Sequence, residues 1–252
     1  MPSHPFLDHD GPLAFAHRGG ATEAPENTMA AFEHAVGLGY RYLELDVRAT
    51  ADGEVVVFHD ATLDRVTHHT GTLADRTLAD LADVRVDRTE PIPRLVDVLD
   101  AWPDARINID PKEDRVVEPL AELLEAREVL DRVCVMAFSD RRLRALRKRF
   151  GDRLCTALGP EGMTRLRLAA SGVPLGRPPG HVAQVPPSLA NRQLLDDDVM
   201  RNARRLGLPV HVWVVDYPGE MDRLLDLGVD GIMTDRPSVL RDVLVRRDAW
   251  DT

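Results

Sequence analysis

Short apolar runs alternate with amphipathic stretches along the whole chain, and this alternation restricts the possible folds more than any other feature of the sequence. Runs at 13–17, 42–48, 106–110, 132–137, 154–158, 181–185, 210–215 and 231–234 read as buried core strands. Helical patterns fill most of the gaps, among them "NTMAAFEHAVGLG", "RVVEPLAELLEARE", "DRRLRALRKRF" and "GEMDRLLDLG". Several have Asn, Asp or Ser near their starts, as N-caps require. Strands alternating with helices imply a parallel sheet. Eight such units in 252 residues favour an α/β fold closed into a (β/α)8 barrel over an open doubly wound sheet, with one domain spanning 1–252.

Two segments break the alternation. In "YLELDVRATADGEVVVFHD", Asp52-Gly53 reads as a two-residue hairpin turn, because this pair supports the positive φ angles that such turns need. Residues 54–59 then form an extra antiparallel strand, since the turn is far too short for a parallel crossover. Counting outward from a two-residue loop sets Ala51 opposite Glu54 and His59 opposite Asp46. The segment 61–95 reads as an irregular insertion with a short helix around 77–83, beside the mouth of the barrel.

Composition excludes several function classes. A net charge of −10 gives no long-range attraction to nucleic-acid phosphates or anionic membranes. No run is long and apolar enough to span a bilayer, and "MPSHPFLDHDGP" lacks the regions of a signal peptide, so the expected location is cytoplasmic. Cys134 and Cys155 lie in apolar strand-like runs and read as ordinary buried thiols. Oligomeric state is not legible in these features.

Chemistry-bearing residues collect at the carboxyl ends of the expected strands, where barrels of this kind place their functional groups. His17 and Arg18 close the first strand in "LAFAHRGG"; Glu44 and Asp46 alternate with Leu43, Leu45 and Val47 on the second, so the two acids share one face. Asp110 and Lys112 end the third in "RINIDPKE", and His59 ends the hairpin strand. Trp213, late in the seventh strand, is a candidate substrate wall, and Asp235 after the eighth reads as a cap for the following turn or helix.

His17-Arg18-Gly19, then Glu26-Asn27-Thr28, Glu44 with Asp46, Asp52-Gly53, His59-Asp60 and "GVDGIMTDRP" resemble, in order and spacing, the glycerophosphodiester phosphodiesterase family. The resemblance runs from about residue 13 to 240. It implies a TIM-type barrel, one divalent cation such as Mg²⁺ or Ca²⁺ (with Mn²⁺ an option), and hydrolysis of a small-molecule glycerophosphodiester to glycerol 3-phosphate and an alcohol. His17 and His59 match the family's acid/base pair, Glu44 and Asp46 its metal ligands, and Asp110 the position of a third. Arg18 and Lys112 match phosphate-contacting positions. The chain departs from the family at Asp110, where glutamate is common, at Val214 in "HVWVVD", at Ala137 before Phe138, and in "RVTHHTGT".

These residue types suit the reaction on their own terms. A phosphodiester is an anion that repels nucleophiles, and its alkoxide leaving group is too basic to depart unaided. Carboxylates holding a divalent ion neutralise the phosphoryl oxygens, arginine and lysine stabilise the remaining charge, and two imidazoles can give and take a proton near neutral pH. The competing readings are a lysophospholipase D or phosphatidylinositol-type phospholipase C, and a catalytically silent phosphoester-binding barrel. The absence of an amphipathic membrane-docking run favours a soluble diester, and the presence of both histidines and three acids disfavours the silent barrel.

Overall fold

A computed structural model describes residues 4–250 apart from Gly172, Pro174, Ala190 and Asn191. The barrel strands are β1 (Leu13–His17), β2 (Tyr42–Ala49), β4 (Arg106–Pro111), β5 (Val133–Val135), β6 (Cys155–Thr156), β7 (Ala183–Val185), β8 (Val210–Val212) and β9 (Gly231–Thr234), with β3 (Val55–Val57) as the hairpin strand. Their order in the sheet is β6-β5-β4-β2-β1-β9-β8-β7, all parallel, and β3 lies antiparallel to β2. A parallel bridge between Ala157 and Val182 closes the ring between β6 and β7, with the Leu158 amide donating to the Val182 carbonyl at 2.8 Å. The eight expected strands are therefore present and joined as a barrel.

Among the described residues eight helices follow the barrel strands, from α1 (Met29–Gly37) and α2 (Leu95–Ala101) through α3 (Val117–Ala126), α4 (Asp140–Phe150) and α5 (Pro160–Ala170) to α6 (Asp197–Arg205), α7 (Pro218–Leu227) and α8 (Pro237–Arg246). Local chemistry sets their starts. Thr28, Ser139 and Asp196 cap α1, α4 and α6 by accepting from the amides of Ala31, Arg142 and Val199. Proline at the first turn opens α5, α7 and α8.

The two-residue side-chain period of the strands sorts their residues into two sets. Ala16, Leu43, Leu45, Ile107 and Ile109 face outward into the apolar layer beneath the helices. Leu13, Phe15, Tyr42, Cys134, Met136, Cys155, Val182 and Met233 form a separate core cluster inside the barrel, joined by Phe6 from the amino-terminal turn Pro5–Leu7. The cysteines are free and buried, in register across β5 and β6. Higher in the barrel the same inward set turns polar, with Asn108, Gln184 and His211 all buried. Gln184 donates to Asn108 at 2.9 Å, and burial pulls the His211 pKa down to about 3, so this imidazole is neutral.

The hairpin is offset by one residue from the register expected of an Asp52-Gly53 loop. Val47 pairs with Val57 and Ala49 with Val55, which makes Phe58 the residue bonded to Asp46, at 2.9 Å between the Phe58 amide and the Asp46 carbonyl. The cause is a three-residue loop, Ala51 to Gly53. Thr50 accepts from Glu54 N–H through Oγ1, and the Asp52 carboxylate is engaged by the Thr50 hydroxyl and the Leu78 amide. His59 thus lies past the paired strand, free to follow the insertion. Within that insertion the short helix is only a 3-10 turn, Ala79–Leu81, and Leu63, Leu73, Leu81, Val84 and Val86 form a small apolar cluster with Val56 and Phe58.

The chain leaves β1 through two glycines. Gly19 has φ +81°, and a Cβ there would lie 2.6 Å from the Ala31 Cβ and 2.8 Å from the Ala31 carbonyl carbon in α1. Gly19→Ala is expected to lose about 2–4 kcal/mol of stability, from the positive φ and the backbone clash together. The denaturant midpoint would report this loss as a shift with little change of slope.

Candidate active site

The inward-facing set delivers the sequence-selected groups to one end of the barrel. His17 pairs in register with Glu44, and Asp46 with Asp110, so adjacent strands bring these four side chains together. Glu44, Asp46 and Asp110 are 2%, 1% and 2% exposed, and three carboxylates at that depth require compensating charge. Lys112 supplies part of it by bridging Asp46 at 2.8 Å and Asp110 at 2.7 Å. Arg18 Nε approaches Asp46 at 3.1 Å, and the Asn27 amide donates to the same carboxylate at 2.8 Å. Arg18 and Asn27 both adopt left-handed φ angles, 52° and 58°, a conformation that costs a non-glycine residue energy and here aims two donors at one acid.

The three acids differ electrostatically. Burial alone would raise the Asp46 pKa, yet Lys112 and Arg18 outweigh it and hold the carboxyl below its ordinary value. Burial dominates at Asp110 and raises it. Burial also dominates at Glu44, with the Asp46 charge adding to it, and pushes its pKa up to about 7. The one ion-pair partner of Glu44 among the described residues is His17, at 3.7 Å. Among the described residues no group of three Asp, Glu, His or Cys side chains forms a ready metal-ligand array; Lys112 pairs with both Asp46 and Asp110, and Arg18 with Asp46. The donor set still suits a hard divalent ion: three buried carboxylates at neighbouring strand ends, one of them short of positive charge.

Both histidines are oriented through Nδ1. His17 Nδ1 meets Asp235 Oδ1 at 2.6 Å, and His59 Nδ1 meets Asp60 Oδ1 at 2.5 Å. A carboxylate at Nδ1 keeps the proton there in the neutral ring and leaves Nε2 as the acceptor. For His17, burial lowers proton affinity, but Glu44 and Asp235 together more than offset it, and the pKa lies above its usual value.

Asp235 does not cap the helix after β9, contrary to the expectation from sequence. The residue at the start of α8 is Arg236, which makes no side-chain cap, and the Asp235 carboxylate turns inward to His17. A signal for this existed in the strand period, since Asp235 lies two residues beyond the inward Met233. Sequence reasoning also missed Arg65. This insertion residue bonds Asp60 at 2.5 Å and Glu26 at 2.6 and 2.8 Å, while Glu26 accepts from Arg18 at 3.0 Å. Glu26 therefore holds two arginines, and Arg65 links the support of His59 to the support of Asp46. Trp213 packs edge-on against Phe138 with ring centroids 5.3 Å apart. His68 and His69 lie together in the insertion, with ring centroids 4.5 Å apart.

Asp235→Asn is expected to lower kcat by about 10²-fold with the fold intact, because the amide no longer fixes the His17 tautomer. Arg65→Met is expected to lower kcat about tenfold or more at nearly constant KM. A variant that only loosened the insertion would lower the denaturant midpoint and leave the kcat of the folded enzyme unchanged.

The Glycerophosphoryl diester phosphodiesterase family matches residues 17–239, a span holding every site residue named above. A Mycobacterium tuberculosis protein described as a probable glycerophosphodiester phosphodiesterase 2 is 36% identical, over 99% of this chain and 97% of its own. A mouse lysophospholipase D is 33% identical, over 91% of this chain and 85% of its own. In fold, the chain is similar to an Oleispira antarctica phosphodiesterase solved in complex with the product sn-glycerol-3-phosphate, with a TM-score of 0.79 at 21% identity, covering 93% of this chain and 97% of that one. With the match spanning both histidines and all three acids, this chain belongs to the glycerophosphoryl diester phosphodiesterase family.

Proposed function

We propose that this enzyme hydrolyses glycerophosphodiesters to sn-glycerol 3-phosphate and an alcohol, with His17 as the general base and His59 as the acid that protonates the leaving alkoxide. The observation that carries this reading is the pair of imidazoles, each anchored at Nδ1 by its own carboxylate, beside three buried acids. Asp235 leaves His17 Nε2 free to accept a proton from the nucleophile, whether water or a hydroxyl of the substrate. Asp60 and Arg65 hold His59 at the more exposed side of the mouth, where an alcohol can leave into solvent.

Glu44, Asp46 and Asp110 are the residues that would hold a divalent cation, Mg²⁺, Ca²⁺ or Mn²⁺, and such an ion supplies charge neutralisation at the phosphoryl oxygens. Lys112 and Arg18, now paired with those acids, are the groups placed to contact the phosphate. Asp110 is one methylene shorter than the glutamate common in the family. Trp213 is the wall we assign to substrate.

The test is an assay of metal-stripped protein on glycerophosphocholine and glycerophosphoethanolamine, with each cation added back and glycerol 3-phosphate detected. Metal-dependent release is expected, and His17→Ala and His59→Ala should each lower it by roughly 10²- to 10⁴-fold while leaving the circular dichroism spectrum unchanged. A folded protein that yields no glycerol 3-phosphate with any of the three cations would overturn this reading.

A further inference from the structure

A second pocket, of about 380 Å³, lies at the end of the barrel where the strands begin, and its lining includes Arg147, Asp152, Thr156, Arg177 and His181. Arg147 comes from α4, Asp152 from the turn before β6, and Arg177 and His181 from the segment that enters β7. The catalytic groups gather at the opposite, carboxyl ends of the strands, and the two sites share no residue. A cavity of this size falls within the range of small-molecule sites.

Its polar groups are donors held in place. Arg147 Nε donates to the Thr156 hydroxyl at 2.9 Å and its Nη2 to the Ala157 carbonyl at 2.7 Å, while Arg177 Nε donates to the Leu206 carbonyl at 3.1 Å. Among the described residues these acceptors are all uncharged, so the two guanidiniums are oriented without being neutralised. Burial pulls the Arg147 pKa down, and the charge of Asp140 does not offset it. A guanidinium keeps its proton in a protein, so a buried one short of negative charge favours an anion beside it. Gly180 lets the chain pass close to this group, since a Cβ there would stand 3.1 Å from Arg147 Nη2 and 2.9 Å from Leu158 Cδ2.

His181 adds an uncharged donor. The Thr156 amide donates to His181 Nδ1 at 3.1 Å, which leaves the proton of the neutral ring on Nε2. Burial, and then His4, holds this imidazole below its usual pKa, so the neutral form is the one present at pH 7. Asp152 is the one carboxylate among the described lining residues. It repels a second negative charge and accepts from a hydroxyl.

We propose that this pocket is a second anion site, remote from the catalytic mouth, that takes a small hydroxylated phosphomonoester. Arg147 and Arg177 contact the phosphate oxygens, as planar guanidiniums do in bidentate pairs. His181 Nε2 donates to the same phosphate, and Asp152 accepts from a hydroxyl of the ligand. The inference stands independently of the phosphodiesterase reading, because none of these residues belongs to that chemistry.

The experiment is equilibrium dialysis of the full chain and of Arg177→Gln against glycerol 3-phosphate and, separately, inorganic phosphate. Any binding at the catalytic mouth is common to both proteins and cancels in the difference. The unaltered chain is expected to bind one more equivalent of glycerol 3-phosphate than Arg177→Gln does, and saturating ligand should raise its thermal midpoint further. At this extra site glycerol 3-phosphate should bind about tenfold tighter than inorganic phosphate, the worth of one hydrogen bond to a charged group, and Asp152→Asn should narrow that preference. Equal numbers of equivalents in the two proteins, both with native circular dichroism spectra, would overturn the site. An extra equivalent of inorganic phosphate alone would overturn the monoester and make free phosphate the ligand. If Arg177→Gln does not fold, Arg177→Lys serves in its place, because it keeps the charge and loses the bidentate fork; an unchanged affinity there would overturn the assigned contact.

Discussion

The negative charge of Asp46 is the constraint around which the rest of the site is arranged. At 1% exposure it would be too costly to keep unpaired, and its compensation comes from three separate pieces of chain: Lys112 after β4, Arg18 after β1, and Asn27 before α1. The two loop residues accept left-handed backbone conformations to reach it. Holding Arg18 in place also presents its backbone amide to Glu44 at 3.0 Å, so a second acid is positioned by the same loop. One buried charge therefore draws the loop that follows the first histidine and the residue after β4 to a single carboxylate.

Much of this was legible before the fold was known, for a physical reason. Strand periodicity is a local property, and the alternation of Leu43, Leu45 and Val47 with Glu44 and Asp46 encodes which face each occupies. The same reasoning located His17, Asp110 and Lys112, and Asp60 beside His59. It failed where the deciding contact is between segments distant in sequence. Arg65 and Glu26 are 39 residues apart, and nothing within either segment signals their bond. Asp235 and His17 are 218 residues apart. The hairpin register failed for a different cause: Thr50 and Asp52 engaged their side chains with the loop and with Leu78, and widened a two-residue turn to three. A one-residue change there moves His59 off the paired strand.

The apolar half of the mouth was invisible to a linear reading. No stretch of the sequence is amphipathic enough to suggest a lipid-facing element, but the barrel draws Met136 and Phe138, Leu158, Met163 and Leu168, and Trp213 from different strand ends and a helix onto one wall. Phe138 and Trp213 lie near the departures from the family pattern at Ala137 and Val214.

Arg65 reaches from the insertion to both Asp60 and Glu26, and this makes the insertion a clasp across two otherwise separate supports. Segments with small apolar clusters and exposed ion pairs open at lower free energy than a barrel core. When the clasp opens, Asp60 and Glu26 lose a shared cation together, and the orientation of His59 and the anchoring of Arg18 loosen in one step. An opening of this surface segment would therefore reach both supports at once while the barrel strands remain paired.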